Sequence, residues 1–104
     1  MIIKIAEYKM KDGVLNVVTK AIAKFVREIK KHEPETLYEA FRRSNSLEFV
    51  HLMKFPDRIS EKKHASAPYT REFVRTLYPH CEREPVFTDL RSVEKMWLTL
   101  QRLL

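Results

Sequence analysis

The chain is poor in cysteine and glycine, and it contains no long hydrophobic run. Its 104 residues include one cysteine, Cys81, which excludes an internal disulfide and any zinc site built from several cysteines. The single glycine, Gly13, and the dense mixed charge are compatible with a rigid, heat-adapted chain. No apolar run approaches the ~20 residues of a membrane-spanning helix, and no signal-peptide layout is found at the amino terminus. We therefore expect a cytoplasmic protein with no membrane partner.

The composition also disfavours a nucleic-acid-binding protein, despite a formal net charge of +6. The basic residues are spread along the whole chain and alternate with acidic ones, as in the segments 27–31 and 61–63. Such mixed runs are typical of solvated helix faces, and the chain has no aromatic RNA-binding motif or glycine-rich clamp. We expect no nucleic-acid partner.

The spacing of apolar residues predicts four strands and three helical segments. A helix from about Val14 to His32 carries an apolar stripe at steps of three and four, and Pro34 ends it. A second helix is capped by Asp57 or Ser60 and carries His64, and a break at 66–68 separates it from the next. The predicted strands are Ile2–Tyr8, Thr36–Arg43, Glu48–Phe55 and Val86–Leu90, and the third helix is Tyr69–Tyr78.

The order of these elements, βαββαβ, predicts an α+β fold. Short right-handed connections arrange it as a ferredoxin-like, four-stranded antiparallel sheet with the helices on one face. The third predicted strand has Phe49, His51, Met53 and Phe55 on one side and apolar residues on the other side too. Because the helices cover only one face, we expect a homodimer in which two sheets pack face to face.

The last residues predict a separate element. Ser92 is a candidate N-cap, and an amphipathic helix follows, with its apolar face formed by Val93, Met96, Trp97, Leu100, Leu103 and Leu104. We expect residues 1–91 to form the domain and residues 92–104 to form a carboxy-terminal helix that packs on the dimer. The alternative is that this helix recruits a partner protein.

Three segments resemble the antibiotic biosynthesis monooxygenase (ABM) family. The segment Ile5–Lys9 with the turn Lys11–Gly13 resembles the family's opening strand and turn, and Phe49–Phe55 resembles its third strand. His64, with Pro68 four residues on, resembles a histidine–proline segment of the family. The resemblance spans about residues 1–90. It implies a dimeric α/β barrel of ferredoxin-like protomers, with a pocket between sheet and helices.

The resemblance also implies a chemistry, namely oxidation of a small aromatic or quinol-type substrate with dioxygen, without metal or flavin. Such a reaction needs a dry pocket and a base near neutral pKa, and histidine is the natural base. His64 is the expected catalytic base, because it matches the family's histidine. The expected substrate-binding residues are His51, Phe55, Tyr8, Tyr69 and Phe73. Haem-degrading relatives use asparagine, tryptophan and histidine where this chain has Tyr8, His64 and Val74, so no haem and no other cofactor is expected.

Each candidate residue also has a structural interpretation. The His64 side chain could instead cap the break at 66–68, and His51 could be a buried, hydrogen-bonded core residue. The aromatic candidates could be core packing, and Cys81 is an incidental residue at a helix end rather than a nucleophile. The function of the whole protein also has a second interpretation. Since Met53 and Phe55 are more apolar than the residues common in the family, a barrel that binds a hydrophobic small molecule without transforming it is the second hypothesis.

Overall fold

The computed structural model describes residues 1–93. The predicted carboxy-terminal helix therefore lies, apart from Ser92 and Val93, outside the described residues. The described elements, in chain order, are β1 Ile2–Lys9, α1 Leu15–His32, β2 Leu37–Arg42, β3 Glu48–Phe55, α2 Arg58–Ser66, α3 Pro68–Leu77, a short 3-10 turn Tyr78–His80, and β4 Val86–Leu90.

The four strands form one antiparallel sheet in the order β2-β3-β1-β4. β1 pairs with β3 on one side, with Ala6 opposite His51, and with β4 on the other, with Ala6 opposite Phe87. The order of elements and the sheet order together confirm the predicted α+β, ferredoxin-like fold. The predicted bounds of β3 and β4 match the structure, whereas β2 is one residue shorter at each end.

α1 forms because its buried residues recur with helical spacing. Val18, Ile22, Phe25 and Ile29 are buried and form one stripe, and basic residues in the last turn suit the negative end of the helix dipole. The turn before the helix places Gly13 at φ +81°, in the left-handed region that glycine adopts without cost.

The predicted break between α2 and α3 lies at Ala67. Asp57 caps α2 by accepting a hydrogen bond from the backbone N–H of Ser60 at 2.7 Å, which settles the predicted choice between the two residues. Ala67 has extended backbone angles, and Pro68 follows as the first residue of α3. Proline fits the first helical turn because its missing N–H has no partner there in any case.

The core lies between the helices and one face of the sheet. Every second residue of β3 is buried there, namely Phe49, His51, Met53 and Phe55, against apolar residues of α1 and α3. On the opposite face the described part of the chain places no helix, and Phe41, Val86 and Leu90 are exposed by 49%, 57% and 40%. The predicted open apolar face is therefore present in this chain. Within residues 1–93, no helix is both long enough and apolar enough to cross a membrane.

Candidate functional site

The candidate site is a small cavity of about 60 Å³ inside the protomer, between the helices and the covered face of the sheet. Its walls are mainly aromatic and aliphatic, and they come from β1, β2, β3, β4 and all three helices. The cavity reaches the surface beside Phe87, whose side chain is half exposed. The residues that line it are Ala6, Tyr8, Phe25, Tyr38, His51, Met53, His64, Thr70, Phe73, Val74, Leu77, Tyr78, Pro85 and Phe87.

Four of the six predicted site residues line this one cavity, and two do not. Tyr8, His51, His64 and Phe73 are brought together there from positions up to 65 residues apart in the chain. Phe55 is almost completely buried and packs against the His64 ring, with 5.1 Å between the ring centroids. Tyr69 lies outside the cavity but contacts a residue that holds His64.

The His64 side chain is hydrogen-bonded through Nδ1 to a buried carboxylate. Its Nδ1 lies 2.9 Å and 3.2 Å from the two carboxylate oxygens of Glu33, and both side chains are buried. Because a carboxylate accepts hydrogen bonds, Nδ1 carries the hydrogen, and the neutral ring has its lone pair on Nε2. The side chain does not cap the break at 66–68. Only the backbone carbonyl of His64 contacts the break, where it accepts from the N–H of Ala67 at 3.3 Å.

Glu33 is a site residue that the sequence analysis missed. It directly follows α1, where the sequence analysis placed only the end of that helix before Pro34. Its carboxylate also accepts a hydrogen bond from the hydroxyl of Tyr69. Burial and this contact with Glu33 raise the pKa of Tyr69 well above its usual value, so that the phenol stays protonated. An acidic residue beside the negative end of a helix dipole is disfavoured, and this misfit was the signal in the sequence.

His51 joins two tyrosines in a buried hydrogen-bonded chain. Its Nε2 lies 2.9 Å from the hydroxyl of Tyr8, and its Nδ1 lies 2.5 Å from the hydroxyl of Tyr38. Only 1% of the His51 surface is exposed, and burial lowers its pKa to about 4. Burial likewise raises the pKa of both tyrosines far above their usual value. All three groups are therefore neutral near pH 7, and they act as hydrogen-bond donors and acceptors rather than as charges.

Phe25 and Phe73 form the apolar wall between α1 and α3. Their rings are stacked 4.2 Å apart at 10°, and the ring of His51 lies 5.9 Å from that of Phe73. Thr70, which precedes Phe73 by three residues on α3, is also buried and lines the cavity. The residues around the cavity are thus mainly aromatic and aliphatic, and its polar side chains are those of two histidines, Thr70 and the tyrosines.

The remaining sequence candidates have structural roles. Cys81 is buried, and its Sγ donates to the backbone carbonyl of Leu77 at 3.5 Å. Burial raises the pKa of this thiol, which disfavours the reactive thiolate. Within residues 1–93, no three His, Cys, Asp or Glu side chains are grouped as ligands for a metal ion.

The structure is similar to several solved structures. It matches a protein described as an antibiotic biosynthesis monooxygenase with a TM-score of 0.81 at 21% identity, over 89% of this chain and 99% of that one. A candidate antibiotic biosynthesis monooxygenase from Caulobacter crescentus matches with a TM-score of 0.81 at 20% identity, over 88% of this chain and 89% of that one. A conserved protein from Methanosarcina mazei Go1 matches with a TM-score of 0.80 at 17% identity, over 88% and 91%.

The comparisons by sequence add nothing to these matches. No family profile matches the chain, and no curated protein matches it. At identities of 21% and below, the structural matches establish the fold and leave the activity open. The resemblance seen in the sequence is confirmed at that level, and the chain has the fold of the antibiotic biosynthesis monooxygenases.

Proposed function

We propose that the protein oxidises a small phenol or hydroquinone with dioxygen, without a cofactor, and that His64 is the catalytic base. The observation that carries this proposal is the Glu33–His64 pair at the wall of an aromatic cavity. The carboxylate fixes the tautomer and stabilises the imidazolium that forms when Nε2 takes a proton. A histidine held in this way, with the lone pair of Nε2 free to take a proton, is suited to general base catalysis.

The reaction needs no cofactor because the substrate supplies the electrons. His64 Nε2 takes the phenolic proton, and the phenolate transfers one electron to dioxygen, which gives an aryloxyl radical and superoxide. These combine at a ring carbon that carries hydrogen, ortho or para to the oxygen, to form a peroxide. Loss of the C–H proton, return of the imidazolium proton and cleavage of the O–O bond release water. Overall, the phenol or hydroquinone and dioxygen give a quinone and water.

The size of the cavity limits the substrate. A volume of about 60 Å³ is smaller than the roughly 150 Å³ cavity that holds a benzene molecule, and it is far below a typical ligand site. The oxygen-bearing edge of a substrate fits inside, with its ring at the mouth beside Phe87 and Tyr78. We therefore favour a substrate with one ring over a polycyclic one.

The same proposal includes a homodimer. Phe41, Val86 and Leu90 on the open face of the sheet leave apolar area in water, which a second copy of the chain would cover. β4 contributes residues to both faces, because Phe87 lines the cavity and its neighbour Val86 faces outward. Dimerisation through this face would fix the strand that forms the cavity mouth.

Oxygen uptake tests the enzymatic proposal. A panel of one-ring phenols and hydroquinones is mixed with the protein in an oxygen electrode, against the spontaneous rate without protein. We expect uptake above that rate, and a loss of about 100-fold or more in His64→Ala. His80→Ala is the matched control, since His80 lies in the 3-10 turn outside the cavity lining. An unchanged rate in a folded His64→Ala protein would contradict the assignment of the base.

The second candidate function is binding without turnover. It is supported by the bonding of Tyr8, His51 and Tyr38 to one another, which leaves few polar atoms for chemistry in a mostly apolar cavity. In that case a hydrophobic compound would remain bound through purification. Mass spectrometry before and after aerobic incubation separates the two functions, because a binding protein releases its ligand unaltered.

A further inference from the structure

One residue of the cavity lining carries a buried hydroxyl group that bonds to nothing in residues 1–93. The residue Thr70 lines the cavity and is only 8% exposed, and no described residue gives its Oγ1 a hydrogen-bond partner. A buried hydroxyl without a partner costs roughly 1–3 kcal/mol. A valine has nearly the same shape and would avoid that cost. The hydroxyl is therefore a polar atom that the fold alone does not require.

The Tyr8–His51–Tyr38 chain holds a second spare proton. A neutral imidazole has one N–H donor and one lone pair, so one tyrosine donates to the ring and the other accepts from it. The tyrosine that accepts still carries its own hydroxyl proton. No described residue accepts that proton, and both tyrosines line the cavity. Whichever way the chain is oriented, one phenolic O–H is available to a bound molecule.

We propose that the hydroxyls of Thr70 and of one tyrosine form a donor subsite that binds an oxygen atom of the ligand, either a carbonyl or a phenolate oxygen. The inference rests on the proposed function for the ligand's ring and its reaction, but the subsite itself follows from the two unsatisfied donors. The expected ligand is thus an aryl ketone, a quinone or a phenol, and a hydrocarbon of the same shape should bind more weakly.

The subsite complements the base. His64 takes a proton, and neutral donors elsewhere on the wall bind the oxygen on which negative charge then resides. Donors in a water-excluded site stabilise such an oxygen more than water does, because they are already oriented. Selectivity against the hydrocarbon follows as well, since a ligand without an oxygen leaves both donors unpaired.

A pair of probe ligands isolates these donors from His64. Acetophenone has an acceptor oxygen and no donor, so it cannot give a proton to the base, and α-methylstyrene is its carbon isostere. Isothermal titration calorimetry gives both Kd values, and their ratio is the ketone preference. In the wild-type protein we expect acetophenone to bind about 10-fold tighter or more, the equivalent of one hydrogen bond to a buried partner.

Thr70→Val is the principal variant. We expect it to reduce the ketone preference about 10-fold and to melt at the same or a higher temperature, since it removes an unpaired buried hydroxyl. A structural role for the hydroxyl would give the opposite result in the melting experiment. Thr88→Val, on an exposed strand residue outside the cavity, is the matched control and should leave the preference unchanged. At least one of Tyr8→Phe and Tyr38→Phe should also lower it.

Three results would overturn the subsite: no measurable binding of acetophenone, equal binding of the two probes to the wild-type protein, or an unchanged preference in Thr70→Val. The result is distinguishable from that of the proposed function. A ketone preference that depends on Thr70, in a protein that consumes no oxygen, supports the subsite and contradicts the oxygenase. Oxygen consumption with no ketone preference does the reverse.

Discussion

Nδ1 of His64 lies 2.9 Å from a carboxylate oxygen of Glu33, and both residues are buried although 31 positions separate them in the chain. The contact joins the end of α1 to the last turn of α2. It defines which nitrogen of the ring is basic, and it orients the ring at the cavity wall. The predictions below start from this pair.

Glu33→Gln tests the role of Glu33 as a positioning residue. The amide keeps the shape but no longer fixes the tautomer or stabilises the imidazolium, so we expect oxygen uptake to fall about 100-fold or more. The KM should change much less than kcat, because Glu33 does not line the cavity. Tyr69→Phe is the comparison variant, since it removes the other hydrogen bond to the carboxylate but leaves the His64 contact in place. A 100-fold rise in KM with an unchanged kcat would contradict a positioning role.

His51 makes stability depend on pH. Its pKa is lowered by burial from 6.5 to about 4 in the folded protein, so the unfolded chain binds the proton more readily. The free energy of unfolding is therefore highest above pH 6.5, and it falls as the pH drops from about 6.5 to about 4. The total loss is about 3 kcal/mol as an upper estimate. Urea unfolding at pH 7.5, 6 and 5 measures it.

The matched variant is His51→Gln, which cannot take up the proton but can bond to both tyrosines. We expect the slope of stability against pH between 5 and 6.5 to become shallower in this variant. Carboxylates with lowered pKa, such as those of Glu61 and Glu72, lose their contribution only at more acidic pH. If wild type and variant have the same slope, His51 is not the group responsible.

Phe41→Asp tests the proposed dimer. Phe41 is on the open face of the sheet and 49% exposed, so its replacement leaves the core of the protomer intact. A charge at this position would have to be buried in the dimer interface, which is strongly unfavourable. Sedimentation at micromolar concentration should change from the mass of two chains to that of one chain, 12.5 kDa. Ile59→Asp, an exposed position on α2, should stay dimeric. A wild-type protein that sediments as a single chain would refute the dimer.

The N-cap of α2 is the fourth test. Asp57→Ala removes the acceptor for the backbone N–H of Ser60, and we expect the free energy of unfolding to fall by about 1 kcal/mol. Asp57→Asn retains an acceptor, so its free energy of unfolding should fall by only a few tenths of the amount lost in the alanine variant. Because α2 carries His64, the alanine variant should also weaken the alignment of the ring with Glu33. Equal stability in all three proteins would show that α2 is held by packing alone.

Much of the fold was predictable because its signals are local. The alternation of Phe49, His51, Met53 and Phe55 defines both ends and the buried side of β3. Pro68 and the preceding alanine mark the break between α2 and α3. Each of these signals depends on residues within one or two turns or one strand, and such patterns are specified by the chain itself.

The site was only partly predictable, because its contacts are between residues distant in the chain. The sequence marked His64 and His51 as chemical groups, but it gave no way to pair the first with Glu33 or the second with two tyrosines. It also placed Phe55 and Tyr69 at the site, although the structure has them behind and beside the cavity. The bonds of His51 to Tyr8 and Tyr38 depend on the pairing of β3 with β1 and β2, and the bond of His64 to Glu33 depends on where α2 packs beside the end of α1.

The amino-acid sequence by itself determined the helices and strands, their order, the sheet architecture and the apolar face of the sheet that the helices leave open. Hydrophobic periodicity and turn chemistry act over a few residues, so these features can be read from the chain. Only the tertiary structure decided which polar groups meet in the interior and how much room they enclose. The physical reason is that burial makes each unpaired donor costly, so the pairing of the strands and the position of each helix on the sheet decide which hydroxyls are satisfied by the protein and which are left for a ligand.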